Sequence, residues 1–204
     1  MTTPAPIDPH TPPSEDWAAI RSWRRRAREV LLQRRAAISA QRRRRMAQEA
    51  CARLMSAIDM ESIDVLAFCW PIKGELDARS MAARHAARGG RVALPVVVAP
   101  SAPLEFWRWH PGIPMQTGVW NIPIPKARDL LLPDAVIAPL VGFDRSGYRL
   151  GYGGGYFDRT LAAASPRPCA IGLGYADSEL PSIHPQPHDI RMNLIVTEKE
   201  VLIP

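Results

Sequence analysis

The sequence predicts a three-layer α/β/α fold with a mostly parallel, mixed sheet, preceded by an N-terminal helical segment. Three observations lead there. Short runs such as Val65–Trp70 are apolar throughout rather than alternating, as strands buried on both faces are. These runs alternate with segments of helical spacing. Before the first run lie about forty residues whose apolar positions recur every three or four. The arrangement is Rossmann-like, and in such sheets ligands bind beyond the carboxyl ends of the strands.

The elements follow in order. Residues 1–13 hold five prolines and no periodic pattern, which predicts a flexible tail, with 14–204 as one domain. Ser14 suits an N-cap, and Glu15 and Asp16 suit the first turn of a helix running to about residue 36. Trp17, Ile20, Trp23, Ala27, Val30 and Leu31 form its apolar face. Ser39 can cap a second helix to about Ala57, with Met46, Ala50, Leu54 and Ile58 four apart. Val65–Trp70 is a strand ended by Pro71, and 78–88 a helix, with Asp77 as its cap and Gly89–Gly90 as its stop. Strands are expected at 91–98 and 104–109, and an ordered loop at 111–133. A strand at 134–139, a helix at 154–164 and strands at 170–173 and 194–197 complete the chain.

The 204 residues are 47% hydrophobic and 23% charged, with mean hydropathy −0.13, and no apolar run approaches the ~20 residues a membrane span needs. The first sixteen residues lack the basic start and apolar core of a secretory signal, so a cytoplasmic protein is expected. Cys51, Cys69 and Cys169 are far apart and odd in number, which argues for reduced, buried thiols rather than disulfides or a zinc finger. The net charge of +6 is uneven: residues 21–53 carry 12 arginines and 2 glutamates, a local charge of +10.

Residues 139–161 are the most informative. Gly151, Gly153, Gly154 and Gly155 follow a strand and precede a helix. Glycines let backbone amides converge on an anion, and the helix N-terminus adds positive potential. Arg149 and Arg159 flank the loop, and Asp158 in the first helical turn could hold a Mg²⁺ that bridges phosphates. No Gly-Lys-Ser/Thr ends the loop, so it is not a Walker A motif, and Tyr156 stands where a dinucleotide fingerprint has its last glycine. Asp144 suits the ordering of the loop by accepting backbone N–H groups. Tyr152, Tyr156 and Phe157 could stack on a flat ring or simply pack, and Trp107 and Trp109 could line a pocket or the core.

The run Asp144-x-x-Gly147-x-Arg149-Leu150-Gly151-x-Gly153-Gly154-Gly155-x-x-Asp158-Arg159, after Ala138-Pro-Leu-Val-Gly-Phe143, resembles the 5-formyltetrahydrofolate cyclo-ligase (5,10-methenyltetrahydrofolate synthetase) family. Four further pieces are similar in order, over about residues 20–197. They are Arg24-x-x-x-Arg28 followed by Arg35, Gly74-Glu75-Leu76-Asp77, Asn121-Ile-Pro-Ile-Pro125, and His188-Asp189 before Ile195–Glu198.

The resemblance implies an ATP- and Mg²⁺-dependent reaction. The formyl oxygen of 5-formyltetrahydrofolate attacks the γ-phosphate, N10 attacks the resulting imidate phosphate, and 5,10-methenyltetrahydrofolate, ADP and phosphate leave. It implies ATP binding by Arg24, Arg28, Arg149, Gly151, Gly153, Gly154, Gly155 and Asp158. Substrate binding falls to Glu75, Tyr152, Gly153 and Tyr156, metal binding to Asp158 and Asp189, and catalysis to Arg149 and Tyr156. Phosphoryl transfer depends on positioning and cations more than on a protein nucleophile, which suits that set. Three positions depart from the family pattern: Arg24 for Lys, Phe157 for the second of two tyrosines, and Glu179 for Gln.

An alternative reading is nucleic-acid binding through the Arg-rich 21–53 segment. Against it, the segment reads as an amphipathic helix pair with no base-reading motif.

Overall fold

A computed structural model describes residues 16–204. The expected tail and Ser14 lie outside the described residues. Helix α1 (Trp17–Ala36) is capped by Asp16, whose carboxylate accepts from the Ala19 N–H at 3.2 Å. Helix α2 (Ala40–Ala57) is capped by Ser39, as its sequence predicts. Then follow β1 (Val65–Phe68), α3 (Arg79–Ala87), β2 (Arg91–Val96), β3 (Glu105–Trp109), β4 (Met115–Thr117) and β5 (Pro123–Pro125). The chain continues through β6 (Ala135–Pro139), β7 (Gly142–Phe143), β8 (Arg149–Leu150), α4 (Tyr156–Ala163), β9 (Cys169–Leu173), β10 (Leu194–Val196) and β11 (Val201–Leu202).

The seven-stranded sheet runs β11-β10-β9-β6-β1-β2-β3, parallel except at the β2–β3 and β10–β11 edges. The central strands are apolar because both faces are covered. Leu66, Phe68, Val92, Leu94, Ile137, Ile171 and Val196 face Met46, Ala50 and Leu54 of α2 and Met81 and Ala82 of α3. On the opposite face, Ala138, Ala170 and Ile195 pack with Leu161 of α4, and Val65, Ala67 and Val136 with Phe106 and Leu131.

Helix α1 does not lie on the sheet. Its Trp23, Ala27 and Leu31 pack against Val141, Leu150, Leu180 and Ile183, in loops beyond the carboxyl ends of the strands. Trp17, expected in the apolar face, is instead 47% exposed.

The connection from β1 leads to β2 on one side, and that from β6 to β9 on the other. β1 and β6 are neighbours, so the topology reverses between them and opens a crevice at their carboxyl ends. The segment after β1 carries Glu75, and the segment after β6 carries the glycine loop.

Several short elements differ from expectation. The 111–133 loop contains the β4–β5 hairpin, and the β7–β8 hairpin and β11 extend the sheet content. Strands of two or three residues are too short to display a period. Helix α4 begins at Tyr156 rather than 154, because Gly155 has φ +65°, outside the helical region. Asp77 is not the N-cap of α3: Ala78 is, while the Asp77 carboxylate accepts from the Arg79 N–H and pairs with its guanidinium at 2.6 Å. Trp107 and Trp109 belong to the packed interior, Trp109 meeting Phe68 edge-on at 5.1 Å between ring centres. Of the three cysteines, all free, Cys51 is buried and Cys69 and Cys169 half-buried, and burial pushes the Cys51 thiol up to about 11.

Candidate functional site

The crevice between β1 and β6 has a phosphate-loop side and a carboxylate side. On the loop side, residues 151–155 pass directly over three guanidinium groups. A Cβ at Gly151 would come within 2.8 Å of Arg149 Nη1. One at Gly153 would lie 3.4 Å from Arg28 Cζ, and one at Gly155 2.8 Å from Arg159 Nη1. Gly153 and Gly155 also hold φ of +97° and +65°, which disfavours side chains. At Gly153 and Gly155 it is the backbone conformation that calls for glycine.

The arginines come from three elements. Arg28 on α1 donates Nε–H to the Gly151 carbonyl at 2.7 Å. Burial and the neighbouring Arg24 hold its guanidinium below the usual arginine value. Arg159 on α4 donates to the Gly154 carbonyl at 2.6 Å and lies over the Tyr156 ring, 5.0 Å from its centre. Arg149 on β8 is buried, 3.0 Å from Asp158 Oδ2 and 5.5 Å from the centre of the Phe157 ring. Its Nη2 makes that ion pair with Asp158, and its buried Nε has no hydrogen-bond partner. A nearly solvent-free guanidinium with an unfilled donor beside a glycine loop is suited to an anion.

Asp158 Oδ1 accepts the Ile190 N–H at 3.1 Å, so its carboxylate is oriented by the 183–190 segment and by Arg149. Asp189 is engaged more fully. Oδ2 accepts from Arg24 Nη2 at 2.5 Å and from the Gln186 N–H at 2.6 Å, and Oδ1 accepts from Arg24 Nη1 at 3.3 Å. Among the described residues no group of three or more His, Cys, Asp or Glu side chains forms a metal cluster.

Arg24 is placed against the 183–189 turn. Nε donates to the Ile183 carbonyl and Nη2 to the His184 carbonyl, both at 2.9 Å, besides the bonds to Asp189. Four of the five N–H groups of a guanidinium are thereby committed to protein acceptors. Lysine, with one point donor group, could not make this fork. Arg24 ties α1 to the 183–189 turn, whereas Arg28 turns to the glycine loop.

On the carboxylate side, a turn follows β1, with Lys73 and Gly74 at φ +47° and +74° and the Glu75 N–H bonded to the Ile72 carbonyl at 2.9 Å. It presents Glu75. Oε2 accepts the Ile72 N–H at 2.9 Å and Oε1 accepts the Tyr152 hydroxyl at 2.6 Å. Burial raises the Glu75 carboxyl above its usual range, against the lowering effect of those hydrogen bonds and of Arg35 and Lys73. Beside it a cleft of about 210 Å³ is bordered by Arg43, Arg44, Pro71 and Gly74.

Tyr152 spans the two sides. Its backbone belongs to the glycine loop, and its hydroxyl reaches Glu75. Tyr156 opens α4 and meets the edge of Trp120, 5.6 Å between ring centres. Trp120 is 64% exposed at the tip of the β4–β5 hairpin, with φ +56°. A bulky residue held in the left-handed region and left in solvent is a costly arrangement.

Trp120 and the role of Arg35 emerge only in the folded structure. Arg35 lies seven positions after Arg28, hence on the same helical face. That spacing was a usable signal. Nothing local in the sequence marks Trp120, because its position comes from a three-residue-strand hairpin.

Three of the other arginines of 21–53 have protein partners. Arg53 donates to the Glu198 carbonyl at 3.0 Å, Arg45 pairs with Glu49 at 3.6 Å and Arg42 with Asp177 at 3.9 Å. Glu179 pairs with Arg145 at 3.0 Å. Asp144, almost fully buried, accepts the N–H groups of Ser146, Tyr148 and Ile183, as its place before the loop predicts.

A phosphate-type glycine loop beside an oriented carboxylate, at the switch point of an α/β sheet, defines a class of nucleotide- or phosphate-handling α/β proteins. Comparison with known proteins narrows the class. The family model for 5-formyltetrahydrofolate cyclo-ligases matches residues 20–198. A 5-formyltetrahydrofolate cyclo-ligase of Escherichia coli is 36% identical over 138 residues, 65% of this chain and 76% of that protein. One of Haemophilus influenzae is 26% identical over 163 residues, 76% of this chain and 87% of that protein. The NMR structure of Aquifex aeolicus 5,10-methenyltetrahydrofolate synthetase superimposes with a TM-score of 0.76 at 27% identity, covering 87% of this chain and 91% of that one. The chain belongs to the 5-formyltetrahydrofolate cyclo-ligase family. Among the described residues, no helix is long and apolar enough to cross a membrane.

Proposed function

We propose that this chain converts 5-formyltetrahydrofolate to 5,10-methenyltetrahydrofolate with ATP, using the crevice between β1 and β6. The observation that carries the site assignment is the 2.6 Å bond from Tyr152 in the glycine loop to Glu75. It sets a phosphate cradle and a carboxylate suited to a pterin edge side by side, as a reaction between ATP and a reduced folate requires.

The chemistry divides accordingly. The formyl oxygen forms a bond to the γ-phosphorus while the bond from that phosphorus to the ADP oxygen breaks. N10 then attacks the formyl carbon and loses its proton, and phosphate departs with the former formyl oxygen. Arg28, Arg149 and Arg159, with the backbone amides of 153–155, neutralise the transferring and leaving phosphates. Charge-assisted hydrogen bonds in a water-poor site are the main source of acceleration in such a step. Arg149, buried and with its Nε unfilled, takes the central part.

Each Glu75 oxygen has one protein donor, so each keeps a lone pair for one of two parallel N–H groups on the pterin. Trp120 and Tyr156 form an aromatic wall above the loop, suited to a flat ring. Arg43 and Arg44 give the mouth a positive rim that favours anionic substrates.

Asp158 fits a Mg²⁺ site, since each of its oxygens has one protein partner and a lone pair to spare. The cation would supply charge neutralisation on the ATP phosphates. Asp189, committed to Arg24 and the Gln186 N–H, serves instead as the counter-ion that shapes the 183–190 turn.

The direct test follows absorbance in the methenyltetrahydrofolate band with 5-formyltetrahydrofolate, Mg²⁺ and ATP, each omitted in turn. Product that needs all three is expected. ATP binding without product would leave the phosphate cradle and remove the folate.

A second test separates the two sides. Glu75→Gln replaces one acceptor oxygen by an NH₂ donor, which meets a donor edge head-on. The folate KM should rise about tenfold or more, the cost of a lost charge-assisted hydrogen bond, with the ATP KM nearly unchanged. The reverse ranking in steady-state kinetics would remove Glu75 from the pterin site.

A further inference from the structure

The carboxylate that faces the pterin is held by a relay running through three distant parts of the chain. Arg35 on α1 is almost fully buried, and its Nη2 donates to the carbonyls of Leu140 and Val141 beyond the end of β6. Its Nη1 donates to the Tyr152 hydroxyl oxygen at 3.2 Å, and that hydroxyl donates to Glu75 Oε1 at 2.6 Å. Arg35 and Glu75 thus form an ion pair with a phenol inserted between them. A donor into the phenol oxygen polarises the O–H and strengthens the bond it gives to the carboxylate.

We propose that Tyr152 is a positioning residue for the folate: by bridging Arg35 to Glu75 it fixes the direction of the two lone pairs that receive the pterin N–H groups. The proposal rests on the folate reading given above and concerns how that one contact is held. Its ring is not a stacking platform for the substrate. The ring lies under Lys73, with Nζ 5.3 Å from the centre, and the hydroxyl is committed to both partners. The arrangement also links the two substrate sites. The backbone that cradles phosphate and the side chain that orients Glu75 belong to one residue of the loop.

The relay has a pH consequence. The groups facing Glu75 are Lys73 in its own turn, Arg35 from α1 and Tyr152 from the glycine loop, with the thiol of Cys69 at the end of β1 and the phenol of Tyr175 after β9 also within its field. Burial favours the neutral carboxyl, while the Tyr152 hydrogen bond favours the carboxylate. Only the carboxylate accepts from two N–H groups. Folate affinity is therefore lost as pH falls through the Glu75 pKa, and removing the hydroxyl moves that loss to higher pH.

The experiment is Tyr152→Phe in the full chain, with 5-formyltetrahydrofolate binding and kinetics measured across pH. We expect the folate KM at neutral pH to rise about tenfold, the size of one hydrogen bond to a charged group. The ATP KM should be nearly unchanged, and the acid limb of folate affinity should move to higher pH. In the Glu75→Gln background the same substitution should add little, because the pair acts as a unit. A merely structural tyrosine would lower stability in both backgrounds and leave the acid limb in place. If Tyr152→Phe binds folate as the parent does at every pH, the positioning role is overturned while the folate reading stands. If the parent protein binds no 5-formyltetrahydrofolate at all, both fall.

Discussion

Arg149→Ala should lower turnover by a factor of about a thousand or more, the order seen when a cation on a transferring phosphoryl group is removed. The loss should fall on kcat, because the developing charge is what the guanidinium meets, while the folate KM changes little. The side chain is 5% exposed, its Nη2 pairs with Asp158 at 3.0 Å, and its buried Nε has no hydrogen-bond partner, while Nη1 lies against Gly151 of the loop. The substitution also leaves Asp158 without its ion-pair partner, which lowers stability. Thermal unfolding must therefore accompany the kinetics. Arg149→Lys separates the two effects: it restores a positive charge near Asp158 but supplies a point donor in place of a planar fork. Turnover well below the parent, from a lysine variant that unfolds at nearly the parent temperature, would assign the loss to catalysis. Full activity in the alanine variant would remove Arg149 from the phosphate cradle.

Much of this site is legible in the sequence for a physical reason. Gly153 and Gly155 hold φ of +97° and +65°, which disfavours side chains, so the composition of the loop records its backbone conformation. The parallel core strands are apolar throughout because α2, α3 and α4 cover both sides of the sheet. Less legible is anything decided by partners far along the chain. Arg24 and Arg28 are equivalent by spacing, yet Arg24 turns to Ile183, His184 and Asp189, whereas Arg28 turns to Gly151. Only the fold decides which arginine meets the 183–189 turn and which meets the glycine loop. Tyr152 likewise reads as a stacking or packing aromatic until Arg35 and Glu75 are brought to its hydroxyl from 117 and 77 positions away. The Trp120 hairpin escapes for the opposite reason: its strands are three residues each, below the length at which alternation carries information.

Arg24→Ala is expected to destabilise the fold by about 3–5 kcal/mol, the usual cost of breaking a buried ion pair from one side. Asp189, with a side chain 10% exposed, would keep its charge without its partner, and the carbonyls of Ile183 and His184 would lose their donors. Urea unfolding measures the loss directly. Arg25→Ala, on the exposed side of the same helix, should stay within about 0.5 kcal/mol of the parent. A phosphate ligand behaves differently: its removal raises the ATP KM and leaves stability alone. The two roles also diverge for Arg24→Lys. One ammonium cannot serve two carbonyls and both oxygens of a carboxylate, so a structural fork loses stability on this change, whereas a phosphate contact would largely survive it. Activity alone would mislead here. The 183–190 segment that Arg24 secures also supplies the Ile190 N–H that orients Asp158, so a loosened turn disturbs the phosphate side without Arg24 ever touching ATP. A lysine variant with parental stability and a raised ATP KM would return Arg24 to the phosphates. A destabilised one fixes it as the latch between α1 and the 183–189 turn.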